Sequence, residues 1–298
     1  MDFRAVDQTT PLLGFTIRRL DLLDPEGAQG NKAFKLRLNL ERAAAQPSRT
    51  LLTFGGPFSN HLLATAIACQ RAGIRAIGIL RGGETETQVM AVCRNAGMTL
   101  IPVSRATYRE KTDPDFLNGL RAEHGNPWIV PEGGSNDLGI HGAQDILCDS
   151  DMERFDVVIV AVGTGTTLAG MAIRAAGRLP ILGVSALKGV DHASEVSRLL
   201  GRTLGDAEWA EELLQPVRWW RDAHEGGFGQ KTAELQQFIA SFHHDHGIPL
   251  DRVYTGKLML RLHREWLKPK PEQEPLVRRG NRILIIHTGG THPAANQW

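Results

Sequence analysis

Cysteine and tyrosine are both scarce in this sequence. Among 298 residues there are three cysteines and two tyrosines, Tyr108 and Tyr254. The cysteines, Cys69, Cys93 and Cys148, cannot all pair and show no CxxC or CxxH spacing. This argues against a disulfide-stabilised scaffold and against a cysteine-based metal site. We expect all three cysteines to be small, buried apolar residues.

The sequence also lacks an excess of charge and a long apolar run. Its 34 basic residues nearly balance 33 acidic residues, for a formal net charge of +1, so we expect no nucleic-acid partner. No apolar run reaches the ~18 residues of a membrane-spanning helix. The first residues do not combine a basic segment, an apolar core and a small-residue cleavage site. We therefore expect a cytoplasmic protein that does not enter a membrane.

The sequence does contain an alternation of strand-like and helix-like segments. Short runs rich in β-branched residues, such as TLLTF, FDVVIVAV and RILIIH, alternate with helical patterns such as SNHLLATAIACQRAG and TLAGMAIRAAG. This alternation predicts an α/β protein in which parallel sheets are covered by helices. The length of 298 residues exceeds what one compact core usually accommodates, so we expect two domains.

The segment QGNKAFKL places two lysines on one side of a predicted helix. A glycine turn opens the helix, and Lys32 and Lys35 are three residues apart. Neighbouring ammonium groups repel, which lowers the pKa of a lysine and makes its amine a better nucleophile toward an aldehyde. The pattern is typical of Schiff-base chemistry, although a solvated helix face has the same spacing.

Three further loops follow predicted strands and contain the small residues that a bound anion requires. FGGPFSNH joins a strand to a helix; its glycines leave room for a ligand, and Ser59 can cap the helix. VGTGTTLAG follows the most hydrophobic strand, and its backbone amides can hold a phosphate at a helix N-terminus. HTGG ends the last strand, at the edge where ligands of open α/β sheets bind.

Each of these loops also has a structural interpretation, as a helix cap or a glycine turn. VGTGTT is neither a Walker loop nor a GxGxxG loop, and no acidic residue stands at the distance that a dinucleotide fold requires. This argues against a nucleotide-dependent enzyme. His243, His244 and His246 precede Gly247 at the end of a helical pattern, which indicates a helix C-terminus and no metal site.

The order of the motifs is more specific than any one motif. GNKAFKL, FGGPFSNH, PEGGSNDLG, VGTGTTLAG, DRVYTGK and HTGG resemble the family of 1-aminocyclopropane-1-carboxylate (ACC) deaminase and D-cysteine desulfhydrase, over nearly the whole chain. These enzymes use pyridoxal 5'-phosphate (PLP) and have the tryptophan-synthase-β-like fold (fold type II), a two-domain, three-layer α/β/α architecture with parallel-rich sheets. The resemblance implies a homodimer, a large PLP-binding domain of residues 1–35 and 134–298, and a small α/β domain of residues 36–133.

The resemblance also implies roles for individual residues. Lys32 would carry PLP covalently, and Ser59 and Tyr254 would complete the catalytic set. The residues implied to hold the cofactor are Lys32, Lys35, Asn60, Gly163, Thr164, Gly165, Thr166, Thr167, Tyr254, Thr255 and Thr288. The residues implied to contact a small amino-acid substrate are Ser59, Asn60, His61 and Phe228.

One position favours one of the two family activities. ACC deaminases resemble one another in having a glutamate after the active-site tyrosine, whereas Thr255 follows Tyr254 here, as in D-cysteine desulfhydrases. An acid beside the ring nitrogen makes PLP a stronger electron sink. The neutral hydroxyls of Thr255 and Thr288 therefore favour β-elimination, with D-cysteine giving pyruvate, ammonia and sulfide, over opening of a cyclopropane ring.

Two alternatives stay open because of Phe228. Both family activities resemble enzymes with a second active-site tyrosine in the segment that corresponds to AHEGGFGQ, where this chain has Phe228. Loss of a hydroxyl that orients the substrate is expected to redirect specificity. ACC deaminase-like deamination stays open as an alternative reaction. The same loss is also expected to lower turnover, which leaves open a PLP-binding protein with little catalytic activity.

Overall fold

The computed structural model of the chain describes residues 6–10, 14–24, 30–82, 85–227, 229–230, 232–267, 277–278 and 280–296. Ten strands lie in these ranges. They are β1 (Val6–Thr10), β2 (Phe15–Arg19), β3 (Thr50–Gly55), β4 (Arg75–Arg81), β5 (Thr99–Val103), β6 (Trp128–Val130), β7 (Val157–Val162), β8 (Ile181–Ser185), β9 (Val217–Trp220) and β10 (Ile283–His287).

Twelve α-helices connect or follow these strands within the same described ranges. They are α1 (Asn31–Ala44), α2 (Asn60–Ala72), α3 (Gln88–Asn95), α4 (Arg105–Arg109), α5 (Pro114–Glu123), α6 (Asp137–Ala143), α7 (Asp151–Arg154), α8 (Thr166–Ala175), α9 (His192–Leu204), α10 (Ala207–Leu214), α11 (Ala233–His246) and α12 (Thr255–Leu267). Short 3-10 helices cover Leu20–Leu22, Glu132–Gly134, Gln144–Ile146 and Pro293–Asn296.

The strands form two sheets. The larger sheet has the order β1-β2-β10-β7-β8-β9, in which only β1 and β2 pair antiparallel. The smaller sheet has the order β5-β4-β3-β6 and is entirely parallel. Its strands lie within residues 36–133, and those of the larger sheet lie outside this range. The domain boundaries themselves stay a prediction.

Helices cover both faces of each sheet, because successive residues of a strand point to opposite faces. In β7, Val158 packs with α1 and α8, whereas Ile159 packs with α11 and α12. In β3, Leu51 packs with α2 and α3, whereas Leu52 packs with α4 and α5. This layering confirms the expected α/β/α fold with parallel-rich sheets.

The sequence pattern does not predict three of the strands, β1, β2 and β9. In β2, Arg18 and Arg19 interrupt the apolar run that would mark a buried strand. Their charges are neutralised inside the protein, because each guanidinium lies 2.6 Å from a carboxylate oxygen, of Asp151 and of Asp21 respectively. These partners cannot be recognised from the local pattern, and so the strand cannot be either.

The cysteines follow the expectation in two of three cases. Cys69 and Cys93 are buried in the small-sheet core. Cys148, however, is exposed, and the expectation of burial is wrong there. It lies in the surface turn before α7, where its backbone amide donates to Asp151 Oδ2 at 2.9 Å.

The helices bear on two other sequence features. Helix α11 ends at His246, and Gly247 caps it with a φ of 66°, so the histidine cluster does form a helix C-terminus.

The length and apolarity of the helices bear on membrane insertion. Within the described ranges, none of the helices combines the length and the apolarity that crossing a bilayer requires.

Candidate active site

A cavity of about 490 Å³ lies where loops from both sheets meet. Its lining comes from the loops after β3, β4, β6, β7, β8 and β10, from the first turns of α1 and from the turn before α12. Ligands of parallel α/β sheets bind at the carboxyl ends of the strands, and this cavity lies at those ends. All four loops that were singled out from the sequence contribute to the lining.

Lys32 lies in the first turn of α1 and lines the cavity. Its Nζ donates to Asn31 Oδ1 at 3.0 Å, and Asn31 Nδ2 donates to Thr167 Oγ1 at 2.8 Å. Burial lowers the pKa of Lys32 to about 8, against an opposing effect of the Asp251 carboxylate. The spacing of the two lysines predicts a lowered pKa for Lys32, but through repulsion from Lys35. In the structure, burial lowers this pKa.

Lys35 is buried one turn further along α1 and has 3% of its surface exposed. Its Nζ donates to Gly133 O at 3.3 Å, and within the described part of the chain no carboxylate pairs with it. Burial and the charge of Lys32 hold the pKa of Lys35 well below its usual value. The repulsion predicted from the sequence therefore acts on Lys35. A buried amine without an acidic partner is suited to a negatively charged ligand, which would favour its protonated form.

The turn from β7 into α8 brings backbone amides to the cavity. Helix α8 begins at Thr166, after Gly165 in a left-handed conformation with a φ of 79°. The first amides of a helix have no acceptor within it and carry partial positive charge. A Cβ at Gly163 would lie 2.8 Å from the ring of Tyr254, so this position has no room for a side chain. The turn therefore presents backbone donors at the cavity, as a phosphate site requires.

The threonines of this turn do not all lie at the cavity. Thr164 and Thr167 line it, whereas the side chain of Thr166 is fully buried and lies outside the lining. The Oγ1 atoms of Thr164 and Thr166 are 3.0 Å apart, so the hydroxyl of Thr166 is engaged within the turn. The hydroxyl of Thr166 is therefore not available to a ligand in the cavity.

Helix α2 begins at the cavity wall, where Ser59, Asn60 and His61 are part of the lining. Ser59 is the N-cap of the helix, and its Oγ accepts from Leu62 N at 3.2 Å. The capping role that the sequence allows is therefore present, at a residue that also faces the cavity. A Cβ at Gly290 would lie 3.3 Å from Asn60 Nδ2, so the loops after β3 and β10 lie against each other here.

His61 has one bound ring nitrogen and one without a partner in the described residues. Thr53 Oγ1 donates its single proton to Val130 O at 2.7 Å, so it must accept at its 2.8 Å contact with His61 Nε2. His61 Nδ1 is then an unprotonated, buried acceptor without a partner. Burial and the charges of Lys32 and Lys35 hold the pKa of His61 well below its usual value. The ring is therefore neutral, and its second nitrogen is enclosed by protein.

Thr255 and Thr288 occupy different surroundings. Thr288 lines the cavity, and Thr255 does not. Thr255 Oγ1 donates to Asp251 Oδ1 at 2.6 Å and accepts from Asp251 N at 2.8 Å. Asp251 also accepts from the amides of Val253 and Tyr254, each at 2.9 Å, and thereby caps the start of α12. Thr255 thus belongs to the turn that brings Tyr254 to the cavity.

The structure brings most of the predicted site residues to one cavity. Those that line it are Lys32, Lys35, Ser59, Asn60, His61, Gly163, Thr164, Gly165, Thr167, Tyr254 and Thr288. Thr166 and Thr255 lie outside the lining, and Phe228 lies outside the described residues. The roles of all these residues in binding and catalysis stay predictions.

Sequence reasoning does not single out four residues at or beside the cavity. Asn31, Glu132 and Arg81 line it, and Asp251 shapes the turn before α12. Asn31, Glu132 and Asp251 stand inside the quoted motifs GNKAFKL, PEGGSNDLG and DRVYTGK, so their motif membership is a usable signal. Arg81 lies outside every motif, at the end of β4.

A family model described as pyridoxal-phosphate dependent enzyme matches residues 14–289, which is most of the chain. The chain belongs to this enzyme family. Its relatives include a D-cysteine desulfhydrase of Serratia proteamaculans, 30% identical over 91% of this chain and 84% of that protein. A bifunctional D-cysteine desulfhydrase/ACC deaminase of Arabidopsis thaliana is 28% identical over 92% of this chain and 71% of that protein. The resemblance found in the motifs is confirmed.

Solved structures agree with this placement among the PLP-dependent enzymes. The crystal structure of an ACC deaminase homologue has a TM-score of 0.78 and 27% identity, covering 97% of this chain and 90% of that chain. Maize serine racemase has a TM-score of 0.65 at 15% identity, covering 96% and 88%, and this likeness shows the fold alone. The fold type II architecture is therefore confirmed.

PLP is the cofactor of this family, and the cavity fits it. The turn at residues 163–167 has free helix amides and a glycine that no side chain could replace. Lys35 is a buried amine without an acidic partner in the described residues, as a phosphate neighbour requires. Lys32 is an amine of lowered pKa in the same cavity. The first two would hold the phosphate, and Lys32 would take the aldehyde.

The lowered pKa of Lys32 predicts how cofactor uptake by the cofactor-free enzyme depends on pH. Only the uncharged amine attacks an aldehyde, and its fraction rises with pH through the pKa of about 8. We expect the uptake rate to rise about tenfold per pH unit below that value and to level off above it. Stopped-flow absorbance after mixing with PLP measures this rate, with free lysine as the control for the aldehyde's own pH dependence. A rate that still rises tenfold per unit near the ordinary lysine pKa of ~10.4 contradicts the lowered pKa.

Proposed function

We propose that this PLP-dependent enzyme eliminates the β-substituent of a small amino acid. The reaction proposed is that of a D-cysteine desulfhydrase, in which D-cysteine and water give pyruvate, ammonia and hydrogen sulfide. Membership in a family whose relatives include D-cysteine desulfhydrases and a bifunctional ACC deaminase supports an activity of this kind. The choice between the two reactions rests on the cavity lining.

The observation that carries the proposal is the neutral lining around Tyr254. Among the described residues one carboxylate lines the cavity, that of Glu132, which comes from the loop after β6 and lies 3.1 Å from Lys111 Nζ. On the side of Tyr254, Thr288 contributes an uncharged hydroxyl, and Thr255 lies outside the lining. Asp251 lies beside Tyr254 in sequence but outside the lining, and its carboxylate is engaged by the Thr255 hydroxyl and by backbone amides.

This lining favours elimination on chemical grounds. PLP supplies, when bound, an aldehyde for the amines of the lysine and the substrate, and a ring that withdraws electrons more strongly where an acid protonates its nitrogen. The lining beside Tyr254 provides no such acid, because Asp251 lies outside it. Expelling a good leaving group from Cβ needs only modest stabilisation of negative charge at Cα, whereas opening a cyclopropane that has no α-hydrogen demands more. The first reaction is better matched to this cavity.

The residues at the cavity divide between binding and proton transfer. The amine of Lys32, neutral above a pH of about 8, removes the proton at Cα. The first amides of α2, with the side chains of Ser59 and Asn60, bind the substrate carboxylate. His61, whose ring is neutral, adds no charge to this part of the cavity. The ring of Tyr254, packed against Gly163, closes the cofactor side of the cavity.

The proposal is tested by incubating the holoenzyme separately with D-cysteine, L-cysteine, D-serine and ACC, while keto acid and sulfide are measured. We expect pyruvate and sulfide in equal amounts from D-cysteine, because the same elimination releases both. Ala in place of Arg42, an exposed residue at the far end of α1, is the control and is expected to leave the reaction unchanged.

Two results would overturn the proposed reaction. Formation of 2-oxobutanoate from ACC without sulfide from D-cysteine would assign the ring-opening deamination. A protein with the visible absorption of bound cofactor that releases no product from any of the four compounds would be a PLP-binding protein with little catalytic activity.

A further inference from the structure

Arg81 is an exposed residue at the end of β4, and its side chain lines the edge of the cavity. The guanidinium lies over the ring of Tyr108, with 5.6 Å between its carbon and the ring centroid. A Cβ at Gly56 would lie 3.2 Å from Arg81 Nη2, so the guanidinium rests against the loop that leads to Ser59. It is thus positioned from two sides, next to the start of α2.

No carboxylate in the described part of the chain pairs with Arg81. Glu132, the carboxylate in the cavity lining, is bound by Lys111 at 3.1 Å. Arg18 differs from Arg81 in this respect, since its Nη1 lies 2.6 Å from Asp151 Oδ2. An arginine that lies at a ligand cavity and is not paired with an acid is available to bind an anion.

Most of the other cationic positions at the cavity are already assigned; Lys188, an exposed residue of the loop after β8, is not. Lys35 and the start of α8 fit the cofactor phosphate. Lys32 takes the cofactor aldehyde, and the start of α2 binds the substrate's α-carboxylate. Arg81 is therefore left with a third anionic group. Because Arg81 lies against the loop that leads to Ser59, a third anionic group bound there would belong to the substrate.

We propose that Arg81 binds a second negative charge on the substrate, so that this enzyme selects a small amino acid whose side chain ends in an oxyanion. Carboxylate, sulfonate and phosphate share the geometry that a guanidinium binds with two parallel N–H donors. The inference rests on the proposed function, because it requires an amino acid in the cavity. It makes D-cysteine a substrate that binds less tightly than an amino acid with a charged side chain. It does not depend on which bond of that amino acid is broken.

The test is a binding measurement that needs no turnover. The wild-type holoenzyme is titrated with D-aspartate and D-asparagine, and with O-phospho-D-serine and D-serine, while the visible absorption of the cofactor reports binding. In each pair the two compounds differ mainly in the side-chain charge. We expect the charged member to bind at least about tenfold more tightly, as charge-assisted hydrogen bonds imply. The first pair tests a carboxylate and the second a phosphate.

Three variants assign the effect to Arg81. R81M is expected to abolish the preference for the charged member, with cofactor content unchanged. R81K is expected to retain part of it, because lysine keeps the charge but lacks the paired donors. R75M is the matched control: it removes the same charge at the opposite end of β4, away from the cavity, and is expected to keep the full preference.

Equal affinities in both pairs, binding of neither member, or a preference that R81M leaves intact would each overturn the inference. A preference that depends on Arg81 in an enzyme that releases no sulfide from D-cysteine would support the inference and remove the proposed reaction. Sulfide release from D-cysteine without a preference for the charged compounds would support the proposed reaction and overturn the inference.

Discussion

Ala in place of Lys32 is expected to abolish the visible absorption of the lysine-bound cofactor and to lower keto-acid release by about 10³-fold. Lys32 lines the cavity and is the amine that burial keeps uncharged above a pH of about 8. The variant removes both the covalent link to PLP and the base at Cα. The spectrum and the keto-acid assay measure these two losses separately.

The same variant is expected to retain PLP non-covalently, because the proposed phosphate contacts of Lys35 and α8 remain. Equilibrium dialysis of K32A and K35A tests this: K35A should lose more affinity for the cofactor than K32A loses. R42A, on the same helix, is the control for folding and should behave as the wild type. A K32A enzyme with an unchanged visible band would remove Lys32 from the proposed role.

Ala in place of Gly30 is expected to lower the free energy of unfolding by about 3 kcal/mol and to weaken cofactor binding. Gly30 precedes α1 with a φ of 66°, and a Cβ there would lie 1.9 Å from Thr288 O. That atom is backbone and cannot rotate away. It also accepts from Asn31 N at 3.1 Å, which joins the start of α1 to the loop after β10. The substitution would displace Lys32 from that loop.

Gly247 provides the matched control for this prediction. It has the same φ of 66°, but a Cβ there would have no atom within 4 Å. Ala at Gly247 is therefore expected to cost only the strain of the left-handed conformation, about 1 kcal/mol. Chemical denaturation of both cofactor-free variants gives the two values. Equal losses would mean that α1 can move away from Thr288 without cost.

Regular patterns in the sequence predict most of the two sheets. The apolar runs of β3 and β7 and the helices that follow them are visible without a structure, because each strand is buried on both faces. The order of the motifs is equally visible and indicates the family. Strand β2 cannot be predicted in this way. Its arginines are compatible with burial only through carboxylates such as Asp151, which is 133 residues away.

At the cavity, the sequence by itself determined which residue types are present and the family to which they belong. Only the tertiary structure decided what surrounds each side chain. Burial lowers the pKa of Lys32, where repulsion from Lys35 was expected. Thr255 binds Asp251 outside the lining, and Arg81 reaches the cavity from a strand that no motif marks. Solvation, hydrogen bonding and ion pairing depend on neighbours that are distant along the chain. These neighbours meet only when the chain folds.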